Sequence, residues 1–334
     1  MIKKSDFKPA WWLKNSHLQT LYPVLVRKNH PLYPIKRERL ETLDNDFIDI
    51  DWCGDKSHPI VILLHGLTGS SKSTYIIGVQ NILVKNHFRT ATLNFRGCSG
   101  QPNRLARGYH SGDIEDIHFL YQTLCQRTPG IDITAIGFSL GGNVLLKWLG
   151  EYSDKVSIKA AVAVSTPLIL SECANKLDTG FAKIYRNKLL KELLQYINIK
   201  KAHLKETQQR EADKIEKLGD LSGISSFWDY DERVVAKLHG FKSAEHYYQV
   251  SSSRQYLAKI TTPTLMIQSK DDPFMTEMVL PGENELSPTV TLEITEYGGH
   301  LGFISGVTPF NTEYWLEIRI LDFLKSHCNT CTES

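Results

Sequence analysis

The chain has 334 residues, 41% hydrophobic and 23% charged, and its 39 Lys and Arg against 37 Asp and Glu leave a formal net charge of +2. That length can bury a large core, in one big α/β domain or two smaller ones, and the near-neutral balance gives no reason to expect a nucleic-acid partner. Six cysteines, at positions 53, 98, 125, 173, 328 and 331, lack the density of a disulfide framework and read as the reduced thiols of a cytosolic protein. Cys328 and Cys331 form a Cys-x-x-Cys beside His327, but with no second ligand pair this reads as a frayed tail and not a zinc site, so no metal is expected. The basic N-terminus has no apolar signal core after it, and no apolar run approaches the length of a bilayer span. A cytoplasmic chain without a transmembrane segment is expected.

In chain order, Trp12, Leu13, Leu18, Leu21 and Tyr22 suggest a short helix packed on the body of the protein, broken by Pro23, Pro31 and Pro34. His17, inside Asn15-Ser-His17-Leu-Gln-Thr20, reads as a hydrogen-bonded structural histidine. Residues 35 to 52 read as strands, and Pro59 to Leu64 is a continuous apolar run of the kind buried on both faces in a parallel sheet. It ends in His65-Gly66-Leu67-Thr68-Gly69. A helix follows with Ile76, Val79, Ile82 and Leu83 inward, then a strand at 88–95 and a loop from Arg96 to Gly100. A second helix opens at Ser111, with Asp113, Glu115 and Asp116 in its first turn, and Pro129-Gly130 ends it. Strands at 133–138 and 158–164 come next. From about 168 to 258 only helical pattern appears, rich in lysine between Lys183 and Lys217, and the lysines read as a solvated face. The strand rhythm resumes at 263–268, closes with 289–295 as the last strand, and a helix from Tyr314 to Leu324 offers Trp315, Ile318 and Leu321 for packing. Strand alternating with helix predicts a doubly wound, mostly parallel sheet with its chemistry in loops at the carboxyl ends of the strands.

Four of those loops carry the chemistry. Gly137-Phe-Ser139-Leu-Gly141 follows a strand and opens a helix, the context a nucleophile elbow needs, and Gly142 lets that helix lie close. A serine hydroxyl becomes a nucleophile when a base takes its proton, and the base works best when a carboxylate orients it. His300, flanked by Gly298-Gly299 and Gly302, is the one of twelve histidines placed just past the last strand, and is assigned as general base. Asp272, just past its strand, is the chosen carboxylate, with Asp271 as the alternative. Backbone N–H groups of Leu67 and Leu140 are the candidate oxyanion donors.

These residues, with Asn15-Ser-His-Leu-Gln-Thr20, Asn94-Phe-Arg-Gly97, Asp271-Asp-Pro-Phe274 and Gly299-His-Leu-Gly-Phe303, resemble the α/β-hydrolase superfamily over nearly the whole chain. More narrowly they resemble the family of the bacterial protein YheT, classed with esterases, and its eukaryotic relatives. The resemblance implies carboxylic-ester hydrolysis of short-chain esters or acyl lipids, without a cofactor, and leaves peripheral membrane contact open. The helical stretch of about 168–258 reads as a cap over the loop edge of the sheet, so one hydrolase domain is expected: a core of about 35–167 and 259–326, that cap, and residues 1–34 packed on the core. Acyl transfer or thioester cleavage on the same triad, and ligand binding without turnover, are the alternatives. Dehalogenase or epoxide-hydrolase chemistry would want a carboxylate where Ser139 stands.

Overall fold

The computed structural model describes residues 1–27, 30–309 and 311–328. Among them nine strands form one sheet: β1 (Ile2–Lys4), β2 (Lys36–Glu41), β3 (Phe47–Cys53), β4 (Ile60–Leu64), β5 (Arg89–Asn94), β6 (Ile133–Phe138), β7 (Ala161–Val164), β8 (Thr264–Ser269) and β9 (Val290–Thr295). Their order is β1-β9-β8-β7-β6-β4-β5-β3-β2, parallel throughout except where β3 meets β5 and β2. The sheet is therefore the mostly parallel, doubly wound arrangement that the alternating pattern predicts.

The apolar runs are continuous because both faces are covered. In β4, Ile60, Ile62 and Leu64 pack with α3 (Glu115–Arg127) and α4 (Leu140–Tyr152), whereas Val61 and Leu63 pack with α2 (Thr74–Lys85) and the C-terminal helix α11 (Trp315–Lys325). The edge strand β2 is charged, and its Arg37 and Arg39 sit opposite Asp51 and Asp49 of β3 in bidentate pairs at 2.7–2.8 Å. Such an edge discourages pairing with another chain.

Between β7 and β8 the ordered elements are helical: α5 (Leu170–Leu177), α6 (Ala182–Thr207), α7 (Gln209–Glu216), α8 (Phe227–Tyr230), α9 (Ala236–His239) and α10 (Ala244–Ser251). They share an apolar cluster of their own that includes Leu190, Leu193, Ile197, Leu204, Phe227 and Tyr247.

Several local expectations are corrected. The first helix, α1 (Ser16–Leu25), starts later than its apolar pattern suggests, because Asn15 Oδ1 accepts the N–H groups of His17 and Leu18. It also runs through Pro23, whose one forfeited hydrogen bond falls in the last turn. β1 was not visible in three residues of mixed polarity, yet it pairs in register with Leu292, Glu293 and Ile294. α3 begins at Glu115 and not at Ser111, since Asp113 turns inward to Arg107 and the Ser111 carbonyl accepts Asn143. Residues 289–295 are not the last strand: β10 (Ile304–Thr308) and β11 (Asn311–Tyr314) form a small antiparallel pair after the His300 loop. Ile318 is exposed, because Leu316, Ile320, Leu321 and Leu324 form the buried row of α11. Lys200 breaks the solvated-face reading of the lysines, being wholly buried. Cys328 is packed in the core and not frayed, while Cys331 lies outside the described residues.

Candidate active site

Ser139 stands between β6 and α4 at φ +52° and ψ −120°, a backbone conformation that side-chain-bearing residues seldom hold without support. The support is local. Its N–H donates to the Val164 carbonyl at 2.8 Å, and its own carbonyl accepts Gly142 N–H at 2.9 Å. A Cβ on Gly141 would lie 2.5 Å from the carbonyl oxygens of Leu64 and His65, and one on Gly142 would strike Thr166 Oγ1. Both glycines are thus demanded by close approach of the helix to the sheet.

His300 Nε2 lies 3.0 Å from Ser139 Oγ, and His300 Nδ1 lies 2.8 Å from Asp272 Oδ2. Asp272 is nearly inaccessible, and its other oxygen accepts Phe274 N–H at 2.8 Å. The Phe274 ring lies parallel to the His300 ring with centroids 4.0 Å apart, which fixes the imidazole plane. Asp271 faces elsewhere: its carboxylate accepts Gly299 N–H at 2.9 Å, and burial pushes its pKa up. Of the two candidate carboxylates, Asp272 is the one in contact with the histidine.

In the loop after β4, the N–H groups on either side of Leu67 are engaged, Gly66 with Tyr75 Oη and Thr68 with Tyr109 Oη, both at 2.8 Å. Among the described residues no acceptor takes the N–H of Leu67 or of Leu140. His65 is spoken for: its Nδ1–H donates to the Gly66 carbonyl at 2.7 Å and its Nε2 accepts Phe95 N–H at 3.1 Å. Burial lowers its pKa to about 4, so it stays neutral and holds the loop.

Two cavities meet at Ser139. One, of about 100 Å³, extends beneath α5 and α8. The other, of about 330 Å³, reaches the surface between α1 and α6. No group of three or more His, Cys, Asp or Glu among the described residues is arranged to hold a metal ion, and no described helix is long and apolar enough to cross a membrane.

A model of the α/β-hydrolase fold matches residues 59–307. YheT of Escherichia coli is 35% identical over 328 residues, 97% of this chain and 94% of that protein. The chain belongs to the α/β-hydrolase family, in its YheT-like branch. Phospholipase ABHD3 of Bos taurus is 29% identical over 324 residues, covering 94% of this hydrolase and 77% of that protein. An esterase from Pyrococcus furiosus superposes with a TM-score of 0.57 at 19% identity, over 91% of this chain and 96% of that one, which speaks for the fold.

Around this hydrolase's site stand groups that reading the sequence did not assign. Thr20 Oγ1 accepts the His300 N–H at 2.9 Å across 280 residues of chain. Tyr75 and Tyr109 orient the Leu67 loop, and Phe274 stacks on His300. Asn143 joins α4 to the end of the helical segment through Ser111, Ser251 and Ser253. The Asn15–Thr20 and Asp271–Phe274 stretches were both conspicuous as motifs, but nothing in their composition named their partners. His17 is indeed held structurally: its Nδ1 lies 3.1 Å from Tyr185 Oη, and burial, followed by Lys176, lowers its pKa.

Proposed function

We propose that this α/β hydrolase is a serine esterase, cleaving carboxylic esters of short-chain or acyl-lipid type through an acyl-enzyme on Ser139. The observation that carries the reading is the hydrogen-bonded row Ser139–His300–Asp272, at 3.0 and 2.8 Å, on an elbow with φ +52°. The Asp272 carboxylate accepts Nδ1–H of His300 and so leaves Nε2 with its lone pair toward Ser139. Ser139 Oγ attacks the ester carbon as its proton passes to Nε2, and the carbonyl π pair moves onto oxygen. Leu67 and Leu140 N–H, with no protein acceptor among the described residues, receive that oxyanion. Collapse re-forms the carbonyl and breaks the bond to the alcohol, which takes the proton from Nε2. Water, deprotonated by His300, then releases the acid and restores Ser139.

The relatives named esterase and phospholipase support ester or lipid substrates. We take residues of about 168–258 as the cap of a single hydrolase domain, and the free thiols of Cys53, Cys98, Cys125, Cys173 and Cys328 support a reducing, cytoplasmic setting. Stopped-flow hydrolysis of p-nitrophenyl butyrate tests the reading. It calls for a burst of nitrophenol stoichiometric with enzyme or a steady rate that Ser139→Ala abolishes; turnover surviving in Ser139→Ala would refute it.

A further inference from the structure

We infer that the two cavities meeting at Ser139 divide the substrate, the smaller holding an acyl chain of medium length and the larger the alcohol; this rests on the ester-hydrolase reading above. Leu67, Ser139, Leu189, Phe274 and His300 line both cavities, so the reacting carbonyl belongs at their junction. The smaller cavity is walled by Leu140, Leu170, Ala174, Leu177, Phe227 and Met275, all buried. Most of its polar groups are already engaged. Ser111 N–H donates to Tyr247 Oη and its carbonyl accepts Asn143, while Tyr248 Oη donates to Asp231 at 2.5 Å. The Cys173 thiol there is pushed well up in pKa by burial, then by Asp272, and stays neutral. Such a wall offers mainly hydrocarbon contact.

The larger cavity differs in kind. Thr68 donates to Glu192 within it, and exposed Lys188 and Val24 stand at its edge. The acyl group must remain through two chemical steps while the alcohol departs and water arrives. The cavity with charged and exposed residues at its edge serves that traffic, and the one lined by buried apolar side chains retains the chain. At about 100 Å³ against about 330 Å³, the smaller cavity is the one that limits the length of the chain it holds.

The test is a series of p-nitrophenyl esters from C2 to C16, which varies the acyl chain at constant leaving group. kcat/KM should peak at a medium chain length and fall at least tenfold by C12. Ala174→Phe should lower the C8-to-C2 ratio at least tenfold, and Phe227→Ala should move the peak to longer chains. A profile level from C4 to C16, or a ratio untouched by both substitutions, overturns the division. Failure of the ester-hydrolase reading looks different: no ester is turned over and a small fluorophosphonate leaves Ser139 unlabelled, and the division then falls with it.

A separate observation assigns Thr20 and Gln19 as positioning residues for His300. α1 grips the His300 loop at successive points. Thr20 Oγ1 accepts His300 N–H and donates to the Ser16 carbonyl at 2.8 Å. A Cβ on Gly299 would fall on the Ser16 carbonyl, and one on Gly302 on the Gln19 carbonyl. Gln19, wholly buried, takes Ile304 N–H on Oε1 and gives Nε2–H to the carbonyls of Leu13 and Ile304. Thr20→Val keeps the shape and removes the acceptor. It should lower kcat about tenfold with KM unchanged and the melting temperature within a few degrees, and Thr20→Ser should restore kcat. Wild-type kcat in Thr20→Val, or a Thr20→Ser variant as slow as Thr20→Val, overturns the assignment.

Discussion

Replacing Lys200 by Met removes a charge that the fold holds at a cost. Its ammonium is wholly buried in α6, donates to the Arg107 carbonyl, and lies 5.5 Å from the centroid of the Tyr196 ring. Burial lowers its pKa from 10.5 to about 7; Asp46 and Glu211 pull it up, and Arg96 and Arg107 push it down. Because the folded pKa lies below the unfolded one, the lysine is destabilising in full below about pH 7, and the penalty fades as pH rises toward 10.5. At pH 7 the penalty is about 4 kcal/mol, and a hydrogen bond lost with the ammonium offsets about 1 kcal/mol, so Lys200→Met should gain about 3 kcal/mol. By pH 9 the wild type recovers about 2 kcal/mol of this. Urea unfolding of both proteins at pH 7, 8 and 9 reads the gap directly. A gap constant across that range, or a Met variant less stable at pH 7, refutes the reasoning.

Asp272→Asn should lower kcat by about three to four orders of magnitude through loss of the correct imidazole tautomer. Asp271→Asn, which can still accept Gly299 N–H, should lose less than tenfold in the same ester assay. Arg96 holds Asp116 through two hydrogen bonds of 2.9 and 2.7 Å and also reaches Asp44 and Asp46, so Arg96→Met strands buried carboxylates and should cost about 3–5 kcal/mol in urea unfolding. Gly141→Ala pushes a methyl into two carbonyls of the β4 loop; about 1–3 kcal/mol of stability and most of the serine reactivity should go together, seen by unfolding and by fluorophosphonate labelling.

What could be read in advance follows from how local each cause is. The apolar run Ile60–Leu64 declares a strand buried on both faces, and Gly137 to Gly142 declare the elbow, because both are dictated within a few residues of chain. Asp272 and His300 could be placed because each follows a strand on the same edge of the sheet. The grip of Thr20 on His300 could not, since its two ends are 280 residues apart and only the fold brings them together. The same holds for β1, whose three residues become a strand by pairing with β9. Lys200 and Ile318 were misplaced for a related reason. On a helix covered on several sides, the row that turns inward is set by neighbours and not by the helix's own polarity.

The account stands most directly on one measurement: the intact mass of the protein after treatment with a fluorophosphonate, followed by peptide mapping, with Ser139→Ala and His300→Ala alongside. An activated serine predicts a single adduct on Ser139 in the wild type, none in Ser139→Ala, and strongly slowed labelling in His300→Ala. A folded wild-type protein that takes no adduct, or takes it on another residue, contradicts the account.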